Sequence, residues 1–153
     1  MIQEALQQIL EVDYLENERE QWQNEMLEEY GWYMDIVPAE EYDEIHANYH
    51  THGVQDNFNH MDFQIVLNMD PEIAHQIFVN LIIDISNGKS FEEGEKYSDA
   101  IEGFNVSFKE YKEMERDVLR VLLPDRDGIL PNEKNCNENY MIQLDDYDFD
   151  SEE

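Results

Sequence analysis

The sequence predicts a single α+β domain, in which helices pack on a small mixed or antiparallel sheet. Apolar residues recur at helical spacing near the N-terminus and again in the middle of the chain, and short alternating runs follow each helical segment. This order of helix, strands, helix and strands favours a mixed sheet. The length of 153 residues fits one hydrophobic core. We divide the chain into an acidic helical segment at 1–30, an α+β domain at 31–143 and an acidic tail at 144–153.

The N-terminal segment has the pattern of one long helix or a pair of helices. Its apolar positions recur three and four residues apart, at Ile2, Leu6, Ile9, Leu10, Trp22, Met26, Leu27 and Tyr30. Residues 16–21 are all polar, which leaves the choice between one helix and two open. Gly31 supplies the C-terminal stop. Nine acids and one base in residues 1–30 give the segment a strongly negative outer face.

Three strand-like segments follow the N-terminal helix. They cover residues 32–37, 48–54 and 61–68. The third is the clearest, because Phe63, Ile65 and Leu67 share one face of the strand, and Gln64 and Val66 lie on the opposite face.

The central helix is the most clearly marked element of the sequence. Asp70 suits the N-cap and Pro71 suits the first helical position, while Asn87-Gly88 ends the helix. We expect its buried stripe to comprise Ile73, Ile77, Phe78, Leu81, Ile82 and Ile85.

The C-terminal half is less regular. Residues 90–103 read as a loop, and 104–108 read as a strand with Phe104, Val106 and Phe108 facing inward. Residues 118–123 fit a strand or a helix, and their β-branched content favours a strand. The tail has six acids in its last nine residues and is predicted to be disordered.

The dominant property of the chain is its charge of −29, from 38 acids and 9 bases. Nucleic acids and anionic lipid surfaces are polyanions, so direct binding to either is disfavoured. A field of this sign attracts cations and basic protein surfaces instead. Most of the acids lie outside the tail, so the charge belongs mainly to the predicted folded body.

Three features of the sequence predict a cytoplasmic protein, in a bacterium or a phage-infected host. Cys136 is the single cysteine, so no intrachain disulfide can form. The N-terminus lacks the basic start and apolar run of a signal peptide. The longest apolar stretch, at 81–83, is far shorter than the roughly 20 residues that span a bilayer.

Four short segments together resemble a known family. They are Tyr30-Gly31-Trp32, Tyr49-His50-Thr51-His52-Gly53, Phe58-Asn59-His60-Met61-Asp62 and Leu122-Leu123-Pro124-Asp125. Over about residues 28–143 the chain resembles the bacterial and phage family catalogued as domain of unknown function 4262. It departs from the family at Asn59 and Met61, where Gly and Pro are common. The resemblance implies a small α+β fold and brings no known reaction.

The strongest chemical pattern is His50-x-His52, followed by His60 and Asp62. Residues two apart in a strand face the same side, so both imidazoles can meet one ion, with His60 returning from a loop. Three histidines and a carboxylate are ligands that suit Zn²⁺ or a similar divalent metal, which could activate water for hydrolysis. The alternative is that these histidines only form hydrogen bonds at a junction between a strand and a loop.

Other polar residues are given structural interpretations. Arg120 lies in an apolar run, where an ion pair with one of the many acids is favoured over an anion-binding role. Cys136 has no histidine neighbour in the sequence and is interpreted as a loop thiol. His75 is expected to be a packing or surface histidine. The pair Asp125 and Asp127 fails the spacing of a calcium loop.

Two functions of different classes remain open, and neither includes a predicted catalytic residue. The favoured one is an interaction protein that binds a basic protein surface, such as a nucleic-acid-mimicking inhibitor or a phage anti-defence protein. Its partner-binding acids are predicted to be Glu18, Glu25, Glu28, Glu29, Glu40, Glu41, Asp43 and Glu44. The alternative is a small metal-dependent hydrolase that uses the His50, His52 and His60 cluster. A third interpretation is a domain whose charge only keeps it soluble.

Overall fold

A computed structural model describes residues 17–37, 46–113 and 115–145 of the chain. Residues 17–30 form helix α1. The elements that follow are β1 (Tyr33–Val37), β2 (His46–His52), α2 (Val54–Phe58), β3 (Asp62–Leu67), α3 (Pro71–Ser86), β4 (Lys96–Ile101), β5 (Phe104–Glu113), β6 (Arg116–Leu122) and α4 (Glu138–Met141), with a 3₁₀ turn at Ile142–Leu144. The predicted α+β class is confirmed. The N-terminal part of the predicted long helix, residues 1–16, and the predicted disordered tail beyond residue 145 lie outside the described residues.

The sheet in the described residues has six strands in the order β1-β2-β3-β6-β5-β4. Every neighbouring pair is antiparallel except β3 and β6, which are parallel. The chain between these two parallel strands contains α3 and the β4–β5 hairpin. The sheet is therefore mixed, as the order of elements predicted.

Helix α3 covers one face of the sheet and forms the hydrophobic core with it. Asp70 caps the helix as predicted, since its carboxylate accepts a hydrogen bond from the backbone N–H of Glu72 at 2.9 Å. Phe78 of α3 lies over Phe63 of β3, with ring centroids 6.4 Å apart. No helix in this described part of the chain is long and apolar enough to span a membrane.

The buried stripe of α3 differs from the prediction at one position. Ile73 is 53% exposed, and Ala74 is buried in its place beside Ile77 and Phe78. Successive helical residues are about 100° apart around the axis, so a one-residue change moves a side chain from the core to the surface. Ile73 therefore belongs to the exposed face of α3.

Two further predictions in the C-terminal half are wrong, and one open choice is settled. Residues 96–101, predicted as part of a loop, form the edge strand β4, which alternation did not mark because only Ala100 in it is buried. Phe104, predicted to face inward, is 39% exposed at the start of β5. Residues 116–122 form strand β6, so the ambiguous segment is a strand.

Candidate functional site

The face of the sheet opposite α3 is polar, and its side chains form a row across four strands. The strand register pairs Asp35 of β1 with His50 of β2. His50 in turn pairs with Gln64 of β3, and Gln64 pairs with Arg120 of β6. His50, Gln64 and Arg120 are buried. Buried polar groups are costly unless they are paired, so each member of this row needs a partner within the sheet.

Asp35, His50 and His52 form a compact group at the β1 end of the row, named here the Asp–His cluster. The Nε2 atom of His50 and the Nε2 atom of His52 each lie 3.9 Å from Oδ2 of Asp35. One ligand atom from each residue lies within 4.8 Å of the other two. The predicted same-side placement of His50 and His52 is found, whereas Asp35 was not predicted. Its signal was a single carboxylate within the apolar strand β1.

Glu113 of β5 lies behind His50, on the side of the other ring nitrogen. Its Oε2 atom is 3.6 Å from Nδ1 of His50. The carboxylate is held in place because Asn48 and Gln64 donate to Oε2 at 3.0 and 3.1 Å, and Arg116 donates to Oε1 at 2.9 Å. No sequence pattern pointed to Glu113, because it lies at the end of β5, far from His50 in the sequence, and approaches His50 only in the folded sheet.

The protonation states of this region follow from burial and neighbouring charge. Burial lowers the pKa of His52, and the nearby charges of Arg116 and His50 lower it further, against the opposing effect of Asp35. Burial alone would raise the pKa of Glu113, but the charges of His50 and Arg116 and the hydrogen bonds of the carboxylate outweigh it and lower the pKa. At neutral pH, His52 therefore offers a neutral imidazole and Glu113 is a carboxylate.

His60 lies outside the Asp–His cluster and has a structural environment. Its Nε2 atom accepts a hydrogen bond from the backbone N–H of Phe91 at 3.0 Å. Its Nδ1 atom is 2.8 Å from the carbonyl oxygen of Met61, which requires the proton to be on Nδ1. With both nitrogens engaged, His60 ties the loop that follows α3 to the start of β3.

Asp62 also lies outside the cluster, although its carboxylate is buried. Oδ1 accepts hydrogen bonds from the hydroxyl of Thr51 at 2.7 Å and from the backbone N–H of Val54 at 3.0 Å. Oδ2 accepts from the backbone N–H of Gln55 at 3.3 Å. The N-cap residue of α2, Gly53, has no side chain for this purpose, so Asp62 supplies the cap from a neighbouring strand.

Arg120 connects the polar face of the sheet to residues 143–145 by hydrogen bonds. Its Nε donates to Oε1 of Gln64 at 2.8 Å, and its Nη1 donates to the carbonyl oxygens of Gln143 and Asp145 at 2.9 and 2.7 Å. The guanidinium lies 3.5 Å from the centroid of the Tyr111 ring. The structural interpretation of Arg120 is therefore supported, because amide and carbonyl oxygens of the described residues accept its hydrogen bonds.

The loop at 125–137 is held by Asp125. Its carboxylate accepts hydrogen bonds at 2.9 Å from the backbone N–H groups of Asn137, Ile129 and Asp127, which lower the pKa of Asp125. Burial and the charge of Asp125 raise the pKa of the Cys136 thiol. The thiol is protonated at neutral pH, in agreement with its interpretation as a loop thiol.

Of the acids predicted to bind a partner, Glu18, Glu25, Glu28 and Glu29 are exposed on α1. Glu40, Glu41, Asp43 and Glu44 lie outside the described residues. The bases are largely engaged within the molecule: in the described residues five of the nine form ion pairs, namely Arg19, Lys89, Lys96, Lys112 and Arg116.

A groove of about 700 Å³ runs between α1 and α3 and is named here the α1–α3 groove. It is lined by Met26, Glu29, Tyr30, Trp32, Phe58, His75, Val79, Ile82, Ile83 and Ser86. Two of these are large side chains left open to solvent, Tyr30 at 55% and Ile83 at 52% exposure. His75 stacks on Trp32 with ring centroids 5.2 Å apart, so it packs as predicted.

A comparison with protein families gives one match, to a model described as domain of unknown function (DUF4262), over residues 26–114. The match covers more than half of the chain and runs from the end of α1 to the end of β5. It is shorter than the 28–143 expected from the resemblance. Neither the curated proteins nor the solved structures gave a match.

Proposed function

The chain belongs to the family described as domain of unknown function (DUF4262), which brings no assigned reaction, and we propose that it is an interaction protein that binds a basic surface on another protein. The observation that carries the proposal is the α1–α3 groove, which combines apolar lining with acidic helices. Its lining is mainly hydrophobic, and exposed large apolar side chains that adjoin one another mark interaction sites.

The two helices that line the groove carry mainly negative charge. Residues 17–30 contain five glutamates and a single base, Arg19, which donates to Oδ1 of Asp35 at 2.7 Å. Residues 71–86 contain Glu72 and Asp84 and neither lysine nor arginine. A partner that fits both properties is an amphipathic helix with an apolar stripe for the groove and Lys or Arg on either side.

A nucleic-acid-mimicking inhibitor, such as a phage anti-defence protein, is a narrower form of the same proposal. It is supported by the net charge of −29 and by exposed carboxylates at Glu18, Glu25, Glu28 and Glu29. A partner of that kind would normally bind nucleic acid in a basic cleft. A cytoplasmic location belongs to the proposal, because Cys136 has no second cysteine in this sequence with which to form a disulfide.

The test uses the immobilised full chain and a host lysate at low and high salt, with two matched variants. Ile83 and Ile73 lie on the same helix and are 52% and 53% exposed, but only Ile83 lines the groove. We expect a basic protein to be captured by the wild type and by Ile73→Asp, and to be lost with Ile83→Asp. Capture should also weaken as salt rises, because opposite surface charges are screened.

Two outcomes would contradict the proposal. If no basic protein is retained at low salt, the charge serves only to keep the domain soluble. If Ile83→Asp captures the partner as well as Ile73→Asp does, the groove is not the binding surface. If a partner is captured as expected, the purified partner should be tested for competition between this protein and nucleic acid. Competition supports the nucleic-acid-mimicking inhibitor over a general binder of basic surfaces.

A further inference from the structure

The geometry of the Asp–His cluster suits an ion rather than direct hydrogen bonds among its members. The 3.9 Å between each histidine Nε2 and Oδ2 of Asp35 exceeds hydrogen-bond length. Tetrahedral coordination with metal–ligand distances of about 2.0–2.1 Å separates neighbouring ligand atoms by roughly 3.3 Å. Both histidine–Asp35 separations are thus longer than this spacing by roughly half an ångström, and all three ligand atoms lie within 4.8 Å of one another.

We infer that Asp35, His50 and His52 bind one divalent transition-metal ion, and that Glu113 orients His50 for this role. Two imidazoles and one carboxylate favour zinc and its neighbours over calcium or magnesium, which prefer oxygen ligands. A metal held by three protein ligands has further positions for water. The histidines lie on the face of the sheet opposite α3, and Arg19 of α1 donates to Oδ1 of Asp35 at 2.7 Å, while Oδ2 faces the two histidines.

The position of Glu113 is the second observation that points to a metal. Histidine ligands of metals usually direct their other ring nitrogen to a carboxylate, which fixes the ring and makes it a better ligand. Glu113 lies on this side of the ring, 3.6 Å from Nδ1 of His50, which is an ion-pair contact longer than a hydrogen bond, while Nε2 faces Asp35. Asn48, Gln64 and Arg116 hold the Glu113 carboxylate in place. It is a positioning residue and touches no metal itself.

The strand framework explains why the cluster is preorganised. Asp35 and His50 are direct partners in the antiparallel register of β1 and β2, and Tyr33 is the partner of His52. The Tyr33 ring stacks on His52 with centroids 5.1 Å apart and limits its rotation. His50 is buried, whereas His52 and Asp35 are partly exposed at 35% and 27% of their side chains. An ion can therefore enter from the solvent side of β1 and β2.

The experiment titrates the chelator-treated full chain with Zn²⁺ and with Co²⁺, by calorimetry and by elemental analysis after dialysis. We expect one equivalent of metal. His52→Gln and Asp35→Asn should each weaken binding at least about tenfold, and Glu113→Gln should weaken it about 10–100-fold as an orienting residue. His75→Gln is the matched control, because it removes an imidazole on the other face of the sheet and should bind metal normally.

Folding and non-specific binding are checked in the same samples. Each variant is compared with the wild type by circular dichroism, and His52→Gln should fold because the side chain is partly exposed. Weak binding of several ions that is unchanged in His52→Gln would show that surface carboxylates hold the metal and would overturn the inference. The absence of any bound metal would overturn it too. Partner capture by His52→Gln should match the wild type, so failure here is distinct from failure of the groove.

Discussion

Substitution of Asp62 tests whether its carboxylate stabilises the fold or binds a metal. The sequence pattern grouped it with the histidines, but the structure engages both of its oxygens with donors from β2 and α2. Arg116 lies 3.5 Å from Oδ2 on the remaining side. We predict that Asp62→Ala destabilises the fold while leaving metal affinity unchanged in the folded fraction.

The magnitude follows from the hydrogen bonds that the substitution removes. A hydrogen bond to a charged group contributes about 1.5–3 kcal/mol, but bonds that share one carboxylate are not additive. We expect Asp62→Ala to cost about 3–5 kcal/mol, because it leaves the Thr51 hydroxyl and the backbone N–H groups of Val54 and Gln55 without their acceptor. This is a large part of the roughly 5–15 kcal/mol that stabilises a typical domain.

The assay is urea denaturation followed by tryptophan fluorescence, with Asp56→Ala as the control. Asp56 is an exposed acid in the same short helix α2, and its loss should change the free energy of unfolding by no more than about 0.5 kcal/mol. A free energy of unfolding for Asp62→Ala within about 1 kcal/mol of the wild-type value would contradict this prediction. If folded Asp62→Ala also fails to bind metal, Asp62 is a ligand, and the sequence prediction that grouped it with the histidines is correct.

Three further predictions concern the framework around the site. Gly53→Ala should lower the free energy of unfolding by more than about 2 kcal/mol, because φ is +99° and a Cβ would lie 2.5 Å from a backbone carbonyl oxygen. The control is Gly88→Ala, where φ is +100° and nothing lies within 4 Å of the added Cβ. Thermal unfolding should show only the backbone strain of about 1 kcal/mol for this control. Arg120→Met should lower the free energy of unfolding in urea by about 3 kcal/mol or more. Arg120→Lys should not restore this stability, because lysine lacks the planar guanidinium with several donors. A loss below about 1 kcal/mol for Arg120→Met would contradict the prediction. The lowered pKa of Glu113 means that its ionised form stabilises the fold above the unfolded-state pKa, and this contribution is lost as pH falls through the folded-state pKa. The stability difference between wild type and Glu113→Gln should therefore shrink in urea titrations below about pH 4.3, and a constant difference would argue against it.

The sequence predicted most of the helices and strands because the signals for them come from residues that are close together in the chain. The alternation in β3 and the cap at Asp70 arise from neighbouring residues, and both were found. Strand β4 was missed because an edge strand exposes most of its side chains and therefore shows no apolar alternation.

The candidate site could be predicted only in part, because half of it is assembled by register. His50 and His52 are two residues apart, so strand geometry alone placed them together. Asp35 comes from the neighbouring strand β1, and Glu113 comes from β5, which is separated from β2 by β3 and β6 in the sheet. No spacing in the sequence records either approach. His60 was grouped with them by proximity in sequence, but it follows α2 in a loop, where alternation no longer applies.

The salt dependence of the two proposed activities should differ, and this separates the surface charge from the cluster. Exposed carboxylates around the groove act through solvent, where charge is screened over about 8–10 Å at moderate ionic strength. His50 in the cluster is only 9% exposed in its side chain, and interactions of buried groups are screened much less. Raising sodium nitrate should therefore weaken capture of a basic partner much more than it weakens zinc binding. If the zinc affinity falls in parallel with partner capture, the ion is held by the general negative field, and the 3.9 Å convergence of Asp35 with the two histidines has no role in holding it.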